Sequence, residues 1–302
     1  MERVDLKVGF SCNCRCNFCV QGDKRLQYKD KSAEELKRLI DENHARGIRE
    51  IVFTGGECTI RKDLMDLVRH AKEKGYTIIQ IQSNGRMFYY PQFCKALINA
   101  GATEFSVSLH GSCANIHDSM TKAKGSFDQI VRGIQNLKGL GQYVMANTVV
   151  TRQNYTDLPS IARLLVSLGA DQFQFAFVHI LGSADKNKSM VVPKKSDVMP
   201  YIREGLDIGI KAGKRVMTEA IPYCFMQGYE EFVAERIIPI ARVEDATWAI
   251  ENYTDFRINE GKVKSEKCKE CRYHDLCEGP WKEYPDLFGW EEFVPVAPMA
   301  KQ

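Results

Sequence analysis

Short apolar runs alternate with longer amphipathic segments along most of the chain. Each apolar run is rich in Val, Ile, Phe or Thr and is short enough to be a buried strand of a parallel sheet. The predicted strands are Val4–Phe10, Glu50–Phe53, Thr77–Gln82, Glu104–Leu109, Val144–Thr151 and Gln172–His179. Since a segment with helical periodicity follows each strand, the pattern predicts βα units in series.

The amphipathic segments also carry the end signals of helices. Ser32 and Glu35 have the spacing of a capping box, and glycines such as Gly47 and Gly75 stand where helices are expected to end. The predicted helices are Ser32–Arg46, Lys62–Lys74, Pro91–Ala100, Ser126–Leu140, Asp157–Leu168 and Ser196–Ala212. Six βα units in series favour an α/β fold, a partial (β/α)6 barrel of the TIM type.

The pattern changes after Gly213, so we expect two domains: residues 1–213 as the barrel and residues 214–302 as a small C-terminal extension. The tail Cys268–Trp290 is dense in cysteine, aromatic residues, Gly and Pro, and it has too little aliphatic content for a core of its own. Three further elements are predicted after Gly213: a strand at Val216–Tyr223, a helix at Gly228–Ile238 and a hairpin at Phe256–Lys264.

The composition is that of an ordinary folded protein. The 302 residues are 44% hydrophobic and 27% charged with only 10 prolines, which excludes a disordered or collagen-like chain. The net charge of +3 gives no reason to expect a nucleic-acid or membrane partner. No apolar run approaches the ~18 residues of a membrane span, and the first residues lack the features of a signal peptide. We therefore expect a soluble, cytoplasmic protein.

The chain contains 11 cysteines, which is the unusual feature of its composition. A secreted disulfide scaffold would be shorter and would carry an export signal, so reduced cysteines with a metal or redox role are the expectation. Four of them fall within Cys12–Cys19 and three within Cys268–Cys277. Their grouping indicates metal chemistry at two places.

The first group follows the first predicted strand directly. Cys12, Cys16 and Cys19 form a C-x3-C-x2-C sequence. Three thiolates on one short loop can hold three irons of a [4Fe–4S] cluster and leave the fourth iron open. Together with Cys14 the same cysteines could instead close a zinc site. In a barrel this loop lies at the carboxyl ends of the strands, where active sites are built.

Polar or glycine-rich turns follow the next three predicted strands. They are Gly55–Glu57, Ser83–Gly85 and Ser108–Gly111. Because the carboxyl ends of parallel strands meet at one edge of the sheet, these turns would surround a single pocket together with the cysteine loop. This arrangement favours a cluster with a bound cofactor over a zinc site.

The cysteine loop and the first of these turns resemble the radical S-adenosylmethionine (SAM) superfamily. C-x3-C-x-aromatic-C is that family's cluster motif, and Gly55–Glu57 match its Gly-Gly-Glu-Pro motif except that Cys58 replaces the proline. The resemblance implies an enzyme in which a reduced [4Fe–4S] cluster on Cys12, Cys16 and Cys19 cleaves SAM to a 5′-deoxyadenosyl radical, which abstracts a substrate hydrogen. The residues that it implies for SAM binding are Phe18, Gly55, Gly56, Glu57, Ser83, Asn84, Ser108 and Asn147.

A finer resemblance, over about Gly9–Leu158, is to the branch with SPASM or Twitch extensions. That branch includes peptide maturases and enzymes that make cofactors. Most peptide maturases read Ser-Leu-Asp-Gly where this chain has His110 as the third residue. The resemblance implies a peptide as substrate, with a small-molecule cofactor or nucleotide precursor as the alternative, and an electron donor such as flavodoxin or ferredoxin.

The second group, Cys268-x2-Cys271-x5-Cys277, matches the core of the SPASM motif, but Trp281 stands where that motif has its next cysteine. With Cys224 these residues make one set of four thiolates, which is enough for an auxiliary [4Fe–4S] cluster. Structural zinc also takes four thiolates, and Cys224 could instead be an active-site thiol. A non-catalytic α/β protein held together by zinc is the remaining alternative for the whole chain.

Four further side chains are candidates for catalytic roles. Cys58 stands beside the SAM motif. Cys113 follows the turn after the fourth strand, where a thiol could donate a hydrogen atom to a substrate radical. His110 and His179 both follow strands on the expected active face and are candidates for SAM or substrate contacts.

Overall fold

The computed structural model describes residues 2–297, and its centre is a nine-stranded sheet with the order β7-β6-β5-β4-β3-β2-β1-β8-β9. Strands β1 to β7 are parallel neighbours, β8 is parallel to β1 on its other side, and β9 is antiparallel to β8. The sheet does not close, so the predicted α/β partial barrel is confirmed. The strands are β1 (Arg3–Lys7), β2 (Glu50–Thr54), β3 (Ile78–Ser83), β4 (Glu104–Ser108), β5 (Tyr143–Val150), β6 (Gln172–Phe177), β7 (Arg215–Glu219), β8 (Ala241–Glu244) and β9 (Ala249–Ile250).

Helices connect the successive parallel strands and bury one apolar face each against the sheet. In α2 the buried face includes Leu36 and Ile40, and Ser32 caps the helix by accepting a hydrogen bond from the Glu35 amide at 3.1 Å, as predicted. The helices are α1 (Lys24–Gln27), α2 (Ala33–Ala45), α3 (Leu64–Lys74), α4 (Pro91–Ala100), α5 (Ala114–Thr121), α6 (Ser126–Gly139), α7 (Leu158–Ser167), α8 (Ser183–Lys186), α9 (Lys188–Val191), α10 (Lys195–Lys211), α11 (Tyr253–Phe256) and α12 (Glu283–Phe288).

The two faces of the sheet differ in polarity because successive side chains of a strand point to opposite sides. On β6, Phe173 and Phe175 are buried beneath α10. The alternate residues Gln172 and Gln174 face the concave side and line a cavity of about 550 Å³. We call this cavity the lumen. Its walls are mostly polar, so the apolar core lies between the sheet and the helices rather than inside the barrel.

The sheet continues beyond Gly213. β7 corresponds to the first part of the strand predicted at Val216–Tyr223, whereas β8 was not predicted. Arg242 and Glu244 of β8 are both buried and form an ion pair at 2.8 Å. A strand with two charged residues in four shows no apolar run, which is why the sequence pattern missed it.

The prediction of a helix over Gly228–Ile238 is wrong. This segment contains single 3₁₀ turns at Glu230–Phe232 and Ala234–Arg236. Between them Val233 has extended backbone angles and forms a parallel bridge with Thr218 of β7. The pairing with the sheet edge therefore interrupts what would otherwise be a continuous helix.

The prediction of a hairpin over Phe256–Lys264 is also wrong. Helix α11 continues directly into a π-helical turn at Arg257–Gly261, and Lys262 then pairs antiparallel with the distant Trp281. The Arg257 and Lys262 side chains are buried in ion pairs with Glu278. Contacts with a remote part of the chain thus decide the conformation of this segment.

Candidate active site

The cysteine loop leaves the carboxyl end of β1 and is held by neighbouring segments. The Asp30 carboxylate accepts hydrogen bonds from the amides of Phe10 at 2.6 Å and Ser11 at 3.1 Å. On the other side, the amides of Arg15 and Asn17 donate to carbonyls in the last turn of α5 at 2.8 and 3.1 Å. The path of the loop is therefore fixed by the protein's own hydrogen bonds.

The thiols of the loop lie in an environment that fits a cluster. Cys12, Cys16 and Cys19 are partly buried, Cys14 is buried, and all four are free of disulfides. The neighbouring Cys14 thiol and burial raise the pKa of Cys12, and burial raises the pKa of Cys19. Thiolates at these positions need a cation beside them, which the irons of a [4Fe–4S] cluster supply.

Gly55 and Gly56 run against the backbone that leads into the cysteine loop. The amides of Gly56 and Glu57 donate to the carbonyls of Gly9 and Ser11, each at 2.8 Å. A Cβ on Gly56 would lie 2.3 Å from the Ser11 oxygen, and one on Gly55, where φ is +127°, would lie 2.3 Å from the Gly9 oxygen. Glycine alone permits this approach, so the two glycines bring the SAM motif beside the cluster loop.

Glu57 joins the turns that follow β2 and β3. Its carboxylate is buried, and the Ser83 hydroxyl donates to Oε1 at 2.8 Å while the Asn84 amide donates to Oε2 at 2.7 Å. The amide of Thr59, a residue that the sequence analysis did not single out, donates to Oε1 at 3.0 Å. Burial raises the pKa of Glu57, and these hydrogen bonds oppose that rise.

The other residues predicted to bind SAM lie at the ends of β3 and β4 and within β5. The Asn84 side chain donates to Asn13 Oδ1 at 2.7 Å, so the turn after β3 contacts the cysteine loop directly. Ser108, the last residue of β4, is paired with Asn147 of β5. The structure therefore lines up the predicted residues along one edge of the sheet.

Phe18 and His110 form an aromatic contact beneath the loop. The Phe18 ring is 6% exposed and packs edge-on against His110, with 4.7 Å between the ring centroids. His110 stacks on His117 at 5.8 Å and accepts a hydrogen bond from the Val149 amide at Nδ1, at 3.2 Å. Burial lowers the pKa of His110 well below its usual range and the pKa of His117 to about 4. Both rings are neutral near pH 7.

The remaining catalytic candidates lie in different surroundings. Cys58 is fully buried, and its thiol contacts the Gln82 carbonyl at 3.4 Å, whereas Cys113 is exposed at the start of α5. His179, after β6, stacks on Trp281 with 3.9 Å between ring centroids. His179 therefore links the active face of the barrel with the C-terminal tail.

Cys224, Cys268, Cys271 and Cys277 line one cavity. Burial and the charges of the other three thiols raise the pKa of Cys224 to about 12. Within residues 2–297, no three His, Cys, Asp or Glu side chains lie close enough together to hold a single metal ion. The four cysteines therefore share one cavity without forming a single-ion site.

Polar side chains continue from the strand ends into the lumen. Gln174 donates to Asn147 Oδ1 at 3.2 Å and to Glu219 Oε2 at 3.1 Å. Gln174 and Glu219 were not among the predicted site residues, although the alternation of Gln and Phe along β6 marks one face of that strand as polar. These residues provide hydrogen-bonding groups next to the predicted SAM residues.

The fold and the site together define a class of enzyme in which a parallel partial barrel carries three cysteines in its first loop and a cofactor pocket along the adjoining strand ends. A sequence model described as the Radical SAM superfamily matches residues 6–165, more than half of the chain. The chain belongs to the radical SAM superfamily and is an enzyme, and membership implies a [4Fe–4S] cluster and SAM. No helix within residues 2–297 has the length and apolarity to cross a membrane.

Relatives of the chain share this family but differ in substrate. The AdoMet-dependent heme synthase of Oleidesulfovibrio alaskensis is 28% identical over 317 residues, which cover 90% of this chain and 80% of the relative. The PqqA peptide cyclase of Rhodopseudomonas palustris is 31% identical over 196 residues, which cover 65% of this chain and 52% of the relative. The crystal structure of Streptococcus suis SuiB bound to its precursor peptide SuiA matches with a TM-score of 0.67 at 15% identity, over 98% of this chain and 74% of SuiB.

Proposed function

We propose that this enzyme modifies a peptide by SAM-dependent radical chemistry. The observation that carries the proposal is the polar lining of the lumen. A peptide presents a donor and an acceptor at nearly every residue, so it can satisfy such walls, whereas pockets for most small organic ligands are predominantly apolar. The lumen residues with amide or carboxyl groups that would contact the substrate are Gln80, Gln82, Asn147, Gln174 and Glu219.

In this proposal Cys12, Cys16 and Cys19 hold the SAM-binding cluster. When bound, the cluster and SAM supply a species that abstracts a hydrogen atom from the substrate. Gly55 and Gly56 keep the SAM-binding turn against the cysteine loop, as their close backbone contacts indicate.

The strand ends would orient SAM between the cluster and the lumen. Glu57, held by Ser83 and the Asn84 amide, would bind the amino group of SAM, and the backbone beside Phe18 would bind the adenine. Ser108 and Asn147, which are paired on adjacent strands, are the candidates for the ribose and carboxylate. The neutral His110 ring packs against the Phe18 ring. In this proposal His110 therefore positions Phe18 and does not transfer a proton.

We also propose that Cys224, Cys268, Cys271 and Cys277 bind an auxiliary [4Fe–4S] cluster. Their position around one cavity and the raised pKa of Cys224 support it, because four such thiolates become stable when each binds an iron atom. The site lies in the extension whose Trp281 stacks on His179 at the active face. An auxiliary cluster would thus brace the tail that adjoins the substrate.

Transfer of deuterium from substrate to SAM-derived product tests the proposed substrate class. Peptides encoded beside the gene would be synthesised with deuterated side chains and incubated with anaerobically reconstituted enzyme, SAM and dithionite. The proposal predicts deuterium in the 5′-deoxyadenosine and a matching mass change in the peptide. Deuterium transfer from a deuterated porphyrin, with none from any of the peptides, would contradict it.

A second candidate is radical modification of a tetrapyrrole. The observation that favours it is the match to the heme synthase of Oleidesulfovibrio alaskensis, which extends over 90% of this chain rather than over the barrel alone. The polar walls of the lumen favour the peptide. The deuterium experiment distinguishes the two because both substrates are offered to the same preparation.

A further inference from the structure

Exposed apolar side chains are concentrated on two short segments, residues 15–29 and 181–191. The first segment runs from the cysteine loop through α1, and the second contains α8 and α9. Fifteen large apolar side chains are exposed in the part of the chain that the structure describes, and four of them belong to these segments. Such a concentration is typical of a surface that a partner covers. The four side chains are Val20 (38% exposed), Leu26 (86%), Leu181 (42%) and Met190 (42%).

The two segments contact each other at the end of the cysteine loop. The Ser183 amide donates to the Cys19 carbonyl at 2.9 Å. A Cβ on Gly182 would lie 2.6 Å from the Val20 oxygen, so the backbones approach closely there. Their exposed side chains therefore belong to one region of the protein surface, which we call the loop surface. Because Val20 follows Cys19 directly, this surface adjoins a predicted cluster ligand.

The loop surface also carries most of the positive charge of the chain. Its two segments contain six Lys or Arg residues and two Asp residues, so their net charge of +4 exceeds the +3 of the whole chain. The guanidinium groups of Arg15 and Arg25 both donate to the Cys14 carbonyl, at 3.0 and 3.2 Å. These two charges therefore bind a main-chain oxygen of the cysteine loop rather than a carboxylate. Lys186 and Lys188 are exposed on the second segment.

Apolar side chains with an excess of cationic ones suit an acidic protein that binds briefly. Complementary charges raise the rate of encounter more than they raise affinity, and electron-transfer complexes have small interfaces. The cluster that family membership implies must be reduced before SAM is cleaved. A surface of this kind beside the cysteine loop therefore fits the protein that supplies the electron.

We propose that the loop surface docks a small acidic electron-transfer protein, such as a flavodoxin, which reduces the cluster. The reduced centre of the partner loses one electron and the cluster gains it, with no transfer of atoms. This inference rests on the cluster at Cys12, Cys16 and Cys19, and it does not depend on whether the substrate is a peptide or a tetrapyrrole. Its failure would therefore leave the proposed substrate class untouched.

Two measurements with a purified bacterial flavodoxin test the proposal. Binding of oxidised flavodoxin to the anaerobically reconstituted enzyme is measured by biolayer interferometry at about 50 and about 300 mM salt. SAM, substrate and reductant are omitted, so this result does not depend on activity. The second measurement is the rate of 5′-deoxyadenosine formation with reduced flavodoxin, divided by the rate with dithionite. The ratio cancels differences in cluster content, and a reductant as small as dithionite needs no docking surface.

The decisive variant reverses two exposed charges, Lys186→Glu with Lys188→Glu. The matched control is Lys267→Glu with Lys269→Glu, because these exposed lysines flank a cysteine of the second group and change the net charge of the chain equally. Leu26→Ser removes an apolar side chain that is 86% exposed and has little packing to lose, so it decides the question if the charge reversal disturbs the fold. Circular dichroism and iron content verify the fold of each variant.

At about 50 mM salt, we expect flavodoxin to associate at least about tenfold more slowly with the Lys186/Lys188 variant than with the wild type. The Lys267/Lys269 control should change this rate by less than about twofold. Binding to the wild type should weaken at about 300 mM salt, and Leu26→Ser should bind more weakly through faster dissociation. The flavodoxin-to-dithionite ratio should fall in both variants of the loop surface and not in the control.

Equal losses in the control, an effect in the control alone, or no binding of flavodoxin to the wild type would overturn the proposal. The same enzyme preparations are also tested for binding of the peptides encoded beside the gene. Loss of peptide binding in the Lys186/Lys188 variant, with flavodoxin binding intact, would assign the loop surface to the substrate and would equally overturn the proposal.

Discussion

Replacing Gly56 by Ala perturbs the contact that joins the SAM motif to the cysteine loop. The new Cβ would lie 2.3 Å from the Ser11 oxygen and 2.5 Å from the Phe10 oxygen. Ordinary contacts begin at 3.4 Å, so one of the two backbone segments must move by about 1 Å. The segment that moves leads within one residue into Cys12.

The cost follows from the contacts that this shift breaks. The Gly56 and Glu57 amides donate to the Gly9 and Ser11 carbonyls at 2.8 Å, and each such bond contributes about 0.5–1.5 kcal/mol. Relief of the clash costs a further ~1–3 kcal/mol. We therefore expect the free energy of unfolding to fall by about 2–6 kcal/mol. The cluster should be bound more weakly as well.

Gly139→Ala is the matched control, since Gly139 is the last residue of α6 and a Cβ there would meet nothing within 4 Å. Both variants are reconstituted anaerobically, and their iron content, the change in the cluster's EPR signal on adding SAM, and their thermal unfolding are measured. Gly56→Ala should lose the SAM-dependent change and unfold at a lower temperature, while Gly139→Ala should retain both. Equal behaviour of the two variants would refute the role of the close contact.

Three further predictions follow from buried groups. Burial lowers the pKa of His110, so the folded state keeps this ring neutral and the free energy of unfolding falls as the pH drops below ~6.5, where the unfolded state takes up a proton. In urea unfolding, the decrease in the free energy of unfolding between pH 7.5 and 5.5 should be about 1.4 kcal/mol smaller for His110→Gln than for the wild type. Lys262→Met breaks two buried ion pairs and should cost about 3–5 kcal/mol in the same assay, whereas Lys269→Met, whose pair with a glutamate is exposed, should change stability by less than ~1 kcal/mol. Cys268→Ala should lower the iron content from about eight to about four atoms per chain, while SAM still changes the EPR signal. Cys94 is buried in the core, so Cys94→Ala is the control and should leave the iron content unchanged. Unchanged iron in the Cys268 variant, or iron lost only from the Cys94 variant, would contradict the auxiliary cluster.

The barrel could be predicted from sequence because its strands and helices carry opposite periodicities. The apolar runs that become β2 to β6 stand between amphipathic helices, and each pattern is local to its own segment. Gly55–Glu57, Ser83, Asn84 and Ser108 lie along one edge of the sheet for the same reason, since they stand at or just after the carboxyl ends of β2, β3 and β4.

The part of the structure after Gly213 could not be predicted in the same way, because its conformation depends on distant contacts. β8 contains the charged Arg242 and Glu244, which are both buried and form an ion pair with each other. Lys262 pairs with Trp281, and this contact replaces the hairpin that the turn residues nearby would favour. Polar residues buried by partners elsewhere in the chain leave no periodic signal.

The site contains one feature that the sequence pattern concealed. From its sequence context Arg257 would be expected on the surface, yet its side chain is 2% exposed, and both Arg257 and Glu219 are among the residues that line the lumen. Its burial depends on Glu278, which is 21 positions away in the chain. Three-dimensional structure was needed to bring these groups into one wall.

The central claim is that Cys12, Cys16 and Cys19 hold the cluster at which SAM is cleaved. The most direct test is the yield of 5′-deoxyadenosine from SAM by anaerobically reconstituted protein with dithionite, compared between Cys16→Ala and Cys14→Ala. Cys14 is the matched control because it lies in the same loop but outside the motif. We expect 5′-deoxyadenosine from the wild type and from Cys14→Ala, and none above background from Cys16→Ala. Equal yields from the two variants, or no product from iron-loaded wild-type protein, would contradict it.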